Sequence, residues 1–175
     1  MKKKIIVVYY SRTGKSKLIA EELSRKLNCD IEEIKTHSNY NGFLGYMRAL
    51  NDVLLKKEPK INQLKKLAAN YDLVVIGGPI WGSSVSGPIR SYLTKNKDYF
   101  SQVACFITQG GTSGKQHYLK QVKQIINKKP IGSFAVSERD FKNESYKKFI
   151  TKFISDLNIP IPKAETKDYR QNISV

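Results

Sequence analysis

The chain has 175 residues, 40% of them hydrophobic, which suits one domain with a single core and leaves no apolar run near the ~20 residues of a membrane span. Its 31 Lys and Arg against 15 Asp and Glu give a formal net charge of +16. The cations are scattered along the chain and no DNA- or RNA-reading motif accompanies them, so nucleic acid is disfavoured as a partner. Lys2-Lys3-Lys4 imitates the start of a signal peptide, but the apolar run behind it is short and lacks a small-residue cleavage site. Cys29 and Cys105 are too few for a disulfide framework and have no metal-ligand spacing; buried, inert thiols in a reducing cytoplasm are expected.

Ile5–Tyr10 is continuously apolar, as in a parallel strand buried on both faces. Ile19, Ala20, Leu23 and Leu27 then recur at helical spacing. Ser11-Arg12-Thr13-Gly14-Lys15-Ser16 between them is a strand-to-helix turn, whose free N–H groups and helix dipole suit a phosphate. Residues 29–36, with Ile31 and Ile34, predict a weaker strand toward a sheet edge. A long connection from His37 to Asn70 follows. Phe43, Met47, Leu50 and Leu54 fall on one helical face within it, Pro59 ends that segment, and Ile61, Leu64 and Leu67 predict a second short helix. One helix suffices for a crossover, so the first reads as an insertion placed to cover a site.

Residues 72–79 form the second strongly apolar strand, opening into Ile80-Trp81-Gly82-Ser83 and a helix that starts near Pro88. Residues 103–108 form the next strand, opening into Gln109-Gly110-Gly111-Thr112-Ser113-Gly114, with a helix marked by Tyr118, Leu119, Val122, Ile125 and Ile126. A strand at 131–136 and an amphipathic helix through Tyr146, Phe149, Ile150, Phe153, Ile154 and Leu157 complete the pattern. Pro160 and Pro162 close it, giving a domain over residues 1–160 and a polar tail over 161–175. Five strands alternating with helices predict an open α/β sheet. In the order 2-1-3-4-5, right-handed crossovers bring the three Gly-rich loops to one carboxyl edge.

Gly14-Lys15-Ser16 looks like the end of a triphosphate-binding P-loop, but that motif requires Gly where this chain has Tyr9. The strand 73–76 is also followed by Gly77, not by an Asp suited to Mg²⁺. Ser11–Ser16, Gly78–Gly82 and Thr108–Gly114, in order and at strand ends, instead resemble the flavodoxin family over the whole chain. The resemblance implies a flavodoxin-like three-layer sandwich and non-covalently bound FMN at the switch point. Carried over residue by residue, Ser11, Thr13 and Ser16, with backbone N–H groups from Arg12 through Gly14 and Lys15, would hold the FMN phosphate. Gly78, Pro79, Ile80, Trp81, Gly82 and Ser83 would line the isoalloxazine, with Trp81 stacking on it. Thr108, Gln109, Gly110 and Gly111 would face its pyrimidine end.

Arg12 and Lys15 either supplement the phosphate charge or point into solvent, and Thr112 and Ser113 either face the site or cap the next helix. His37 and His117 read as solvent-facing or packing residues, Tyr40 and Tyr46 as packing against the inserted helix or as a cover over the flavin, and Glu138-Arg139-Asp140 as a solvated turn. No Ser/His/Asp or Cys/His nucleophile arrangement is visible. Three functions follow: an electron carrier, an FMN-dependent NAD(P)H reductase acting on a quinone or similar acceptor, or a basic binding protein that has lost flavin. The expected partner is a redox protein or a small-molecule acceptor, with NAD(P)H as the donor in the reductase alternative. The third loop has no Asp or Glu, and positive charge nearby would favour the reduced, anionic flavin.

Overall fold

The computed structural model describes residues 3–159; the expected tail, 161–175, lies outside the described residues. The elements run β1 (Ile5–Tyr9), α1 (Lys15–Leu27), β2 (Asp30–Glu33), α2 (Gly42–Leu54), a 3₁₀ turn (Ala68–Asn70), β3 (Leu73–Trp81) and β4 (Ser84–Val85). They continue through α3 (Gly87–Asn96), β5 (Gln102–Gln109), α4 (Lys115–Ile126), β6 (Ser133–Ser137), α5 (Glu138–Lys142) and α6 (Tyr146–Asp156). The parallel sheet has the order β2-β1-β3-β5-β6, and β4 folds back antiparallel onto the end of β3. Without that two-residue strand, the order is the expected 2-1-3-4-5.

Alternation along β1 shows why the central strands read as continuous apolar runs. Ile5, Val7 and Tyr9 pack with α1 and α6, through Ile19, Leu23, Ile150 and Phe153. Ile6 and Val8 pack on the other face with Ile89, Leu93, Tyr118 and Val122 of α3 and α4. Both faces are covered, so no polar position remains. The β1–β3 register pairs Tyr9 with Gly77, and the β3–β5 register pairs Gly77 with Phe106. A Cβ at Gly77 would stand 1.9 Å from Cε1 of the buried Phe106 ring.

The connection before β3 departs from expectation twice. No helix forms over Ile61–Leu67: Ile61 makes an antiparallel bridge to Thr36, and the Glu32 carboxylate accepts from the N–H groups of Lys65 and Lys66. The sheet edge thereby satisfies backbone donors that a helix would otherwise satisfy. α2 is present, but its expected apolar face points outward, with Phe43 76% and Leu54 79% exposed. The inward face is Gly45, Ala49 and Asp52. Glycine is needed at position 45 because a Cβ there would lie 2.1 Å from the Tyr40 carbonyl carbon.

Two further departures flank the sheet edge. β6 begins at Ser133, two residues later than expected, and Ile131 is exposed. Glu138-Arg139-Asp140 starts a helix, α5, through a capping box: Asp140 N–H donates to Ser137 Oγ, and Ser137 N–H donates to Asp140 Oδ2. Among the described residues, no helix is long and apolar enough to cross a membrane.

Gly77→Ala is expected to lower unfolding stability by about 1–3 kcal/mol, because the Phe106 ring has no room to retreat. Urea denaturation measures this, and an unchanged midpoint would contradict the packing described.

Candidate functional site

The carboxyl ends of β1, β3 and β5 meet around a cleft of about 380 Å³. That volume lies in the range of small-molecule sites. Arg12, Thr13, Lys15 and Ser16 line it from the first loop; Pro79, Ile80, Trp81 and Gly82 from the second; Thr108, Gln109 and Gly110 from the third. Three loops distant in sequence therefore build one concavity. The inserted helix expected to cover a site does stand at the cleft, through Tyr46, Ala49 and Leu50 of α2, with Tyr46 half exposed there; sequence reasoning missed the remaining wall, Glu138 of α5.

The first loop is shaped by Gly14, whose φ of 88° lies in the left-handed region that favours glycine. Gly14 takes the N-cap position of α1 and offers no side chain to the helix's first N–H groups. The first turn also carries no acidic residue. These are the conditions under which a helix N-terminus accepts an anion. Ser11 Oγ accepts from Gly14 N–H at 3.1 Å, so Ser11 holds the turn without lining the cleft. Ser16 and Thr108 share a buried hydroxyl–hydroxyl hydrogen bond of 2.7 Å, which ties the first loop to the third. Thr13 is exposed.

Neither cation of the first loop simply points into solvent. Lys15 Nζ pairs with Glu138 Oε2 and also stands over the Phe141 ring, while the Arg12 guanidinium lies 6.0 Å from the Tyr46 ring centroid. Hydrogen bonding and charge from Lys15 hold the Glu138 carboxyl below its usual range.

Trp81 lies on β3, because the strand continues through Gly78-Pro79 further than its glycines suggest. Its ring is 7% exposed, edge-on to Tyr10 at 5.9 Å and tilted against Tyr40 at 4.9 Å. Tyr40 donates to Asp52 Oδ2 at 2.7 Å, so the aromatic group anchors α2 over the cleft. Burial raises the Tyr40 phenol, and raises Tyr10 to about 12; both remain protonated hydrogen-bond donors at neutral pH.

The remaining expected residues serve the walls. Gly78 is buried against Ile89, Ser83 turns the β3–β4 hairpin at φ 61°, and Gly111 is exposed beyond the cleft. Thr112 and Ser113 are exposed, and neither caps α4, whose N-cap is Gly114. His37 and His117 are exposed, and no group of three or more potential metal ligands occurs among the described residues. Cys105 is fully buried, which pushes its thiol up to about 12 and leaves it inert.

The flavodoxin family model matches residues 4–152. The chain belongs to the flavodoxin family. FMN is that family's cofactor, bound at the β1/β3 switch point. Among solved structures, the chain is similar to a Lactobacillus acidophilus flavoprotein in complex with FMN, at 28% identity and a TM-score of 0.67, covering 82% of this chain and 99% of that one. The apo form of a flavoprotein from the same organism matches at 29% identity and a TM-score of 0.61, over 81% and 97% of the two chains. A WrbA-like flavodoxin from Agrobacterium tumefaciens, 11% identical with a TM-score of 0.56 over 91% and 100%, shares the fold. No curated protein matches.

The residues of this cleft fit FMN. The open N-terminus of α1 beside Arg12 and Lys15 suits a phosphate, and Gln109 Oε1, buried without a partner in the cleft wall, suits a donor from a bound ring.

Thr108→Val strands the buried Ser16 hydroxyl and is expected to cost about 1–3 kcal/mol in urea unfolding. The double variant Ser16→Ala/Thr108→Val should recover part of that loss. A double variant less stable than Thr108→Val alone would show that the pair does not act as a unit.

Proposed function

We propose that the protein binds FMN non-covalently in this cleft and passes electrons between a reductant and an acceptor. The observation that carries this reading is the convergence of three loops on one cleft whose phosphate end is an uncapped, acid-free helix N-terminus. In this reading the backbone N–H groups of Arg12–Ser16 and the Thr13 hydroxyl hold the phosphate, with Arg12 and Lys15 adding positive charge. The Ser11 and Ser16 hydroxyls act mainly by fixing the loop, since both already have partners in the protein. Trp81, Ile80 and Gly82 form one wall for the ring system, and Thr108, Gln109 and Gly110 meet its polar end. The bound cofactor supplies the redox chemistry; the protein supplies orientation, exclusion of water and charge.

The charge at the cleft follows from three residues. Glu138 lines the cleft as a carboxylate, but Lys15 neutralises it, so the net contribution of Arg12, Lys15 and Glu138 is one positive charge. That charge favours the reduced, anionic cofactor and raises its midpoint potential relative to an acidic site. Lys15→Met, which leaves Glu138 unpaired, is expected to lower the potential in a spectroelectrochemical titration; an unchanged or higher value would contradict this account.

The reductase reading draws on α2. Tyr46 and Leu50 of that helix line the cleft, giving it a wall that a small acceptor would touch. Steady-state oxidation of NADH and NADPH with and without a quinone decides between carrier and reductase.

Cofactor binding itself has a built-in reporter, since Trp81 is the only tryptophan and lines the cleft. Adding FMN should quench its fluorescence, and Thr13→Ala should weaken binding about tenfold or more through loss of a charge-assisted hydrogen bond. Riboflavin, lacking the phosphate, should bind more weakly than FMN and be insensitive to Thr13→Ala. A colourless protein whose tryptophan emission ignores FMN would overturn the proposal.

A further inference from the structure

Behind the Gly82–Ser83 turn, on the side of α3 and α4, lies a polar cluster that the cleft does not use. Its centre is Arg90, in the first turn of α3 and only 7% exposed. A buried guanidinium normally faces a carboxylate. Among the described residues, Arg90 takes part in no ion pair. Glu58 is the carboxylate whose field reaches it, and Glu58 accepts a hydrogen bond from Thr94. Arg90 Nε is buried without any partner, and Nη2 donates to a neutral amide, Gln121 Oε1, at 3.0 Å. One helical turn earlier, Ser86 Oγ is also fully buried and unpartnered. The first turn of α3 has no acidic residue to offset this positive charge.

Gln121 organises the cluster and leaves no ambiguity about its own orientation. Its Oε1 accepts from both Arg90 and Val85 N–H, so its Nε2 must be the atom that donates to Ser84 Oγ at 3.0 Å. The same Nε2 lies 2.8 Å from His117 Nε2. An amide nitrogen only donates, so His117 Nε2 is the acceptor in this contact. Ser84 Oγ in turn reaches the Gly82 carbonyl at 3.4 Å. Arg90 is thus connected, through Gln121 and Ser84, to a residue that lines the cleft.

We propose that Arg90, Gln121 and His117 form a binding site for an oxyanion group, a phosphate or a carboxylate, carried by a small molecule that works at the adjacent cleft. The anion supplies the paired counter-charge that no carboxylate among the described residues gives Arg90. His117 takes up a proton as the anion arrives, because its Nε2 then becomes a second charged donor to that anion instead of an acceptor from Gln121. Nothing in this depends on flavin, so it stands or falls separately from the proposed function.

The chain contains two histidines, so the test is residue-specific. The imidazole titrations of His117 and His37 are followed by NMR on the full-length protein, saturated with FMN where it binds. Sulfate or malonate replaces chloride at constant ionic strength. The expected result is a saturable rise of about 0.5 or more in the His117 midpoint, with His37 unchanged. A response to sulfate alone assigns a phosphorylated ligand, and a response to malonate alone assigns a carboxylate. Gln121→Glu places an internal carboxylate against Arg90 and should abolish the response while raising the melting temperature; Arg90→Met should abolish it also. If Arg90→Met does not fold, Gln121→Glu still decides. Equal responses of the two histidines, no response, or a response that survives Gln121→Glu overturns the proposal.

Discussion

Everything in this molecule depends on β1, β3 and β5 being buried on both faces. That requirement removes polar positions from the strands, forces helices onto both sides of the sheet, and pushes polar chemistry to the strand ends. The fit between layers is tight at the centre. Gly77 exists where β3 passes the Phe106 ring, and the same register carries Tyr9, Gly77 and Phe106 side by side across three strands. Because the strands are parallel and adjacent, a register fixed here also fixes where their loops emerge. The cleft is the consequence: its floor is held by core packing, and its first and third loops are then tied by a buried hydroxyl pair, Ser16 with Thr108.

Much of this was legible in the sequence because the signals were redundant. Ile5–Tyr10 and Leu73–Ile76 lack alternation, the helices carry clear spacing, and the turn residues stand at strand ends in order. Eleven of the sixteen expected site residues line the cleft: four from the first loop, four from the second and three from the third. Where the reading failed, a contact distant in sequence outweighed a local pattern. The apolar spacing of α2 was real, but Tyr40 approaches so closely that glycine is needed at 45, and the helix turns Gly45, Ala49 and Asp52 inward and Phe43 and Leu54 outward. The Ile61–Leu67 pattern lost to a bridge with Thr36 and to the Glu32 carboxylate. Glu138 carried no sequence signal as a site residue; only the return of β6 beside β5 brings it to Lys15.

Trp81 lines the cleft from a different setting than its flanking residues suggest. A lone indole between Pro79 and Gly82 suggested a flat ring held out on a loop. Instead the ring ends a strand and wedges between Tyr10 and Tyr40, where it lines the cleft and supports α2 at once. Tyr40 continues the connection to Asp52 on that helix. The wall over the cleft is therefore fastened by aromatic packing and one buried hydrogen bond. The outward apolar residues of α2 do not hold it in place.

The net charge of +16 acts on a different scale from the charges in the cleft. At physiological ionic strength the Debye length is about 8 Å, so cations scattered over the surface are largely screened from one another and from a buried cofactor. What a flavin would feel is Arg12, Lys15 and Glu138, and two of those three cancel. What an approaching molecule feels is the summed field, which draws anions toward the surface and repels a second copy of the chain. Steering and tuning are thus separable in this protein. Substitution of surface lysines far from the cleft should alter how fast an anionic partner arrives, whereas only the few charges lining the cleft can alter the energy of an electron held there.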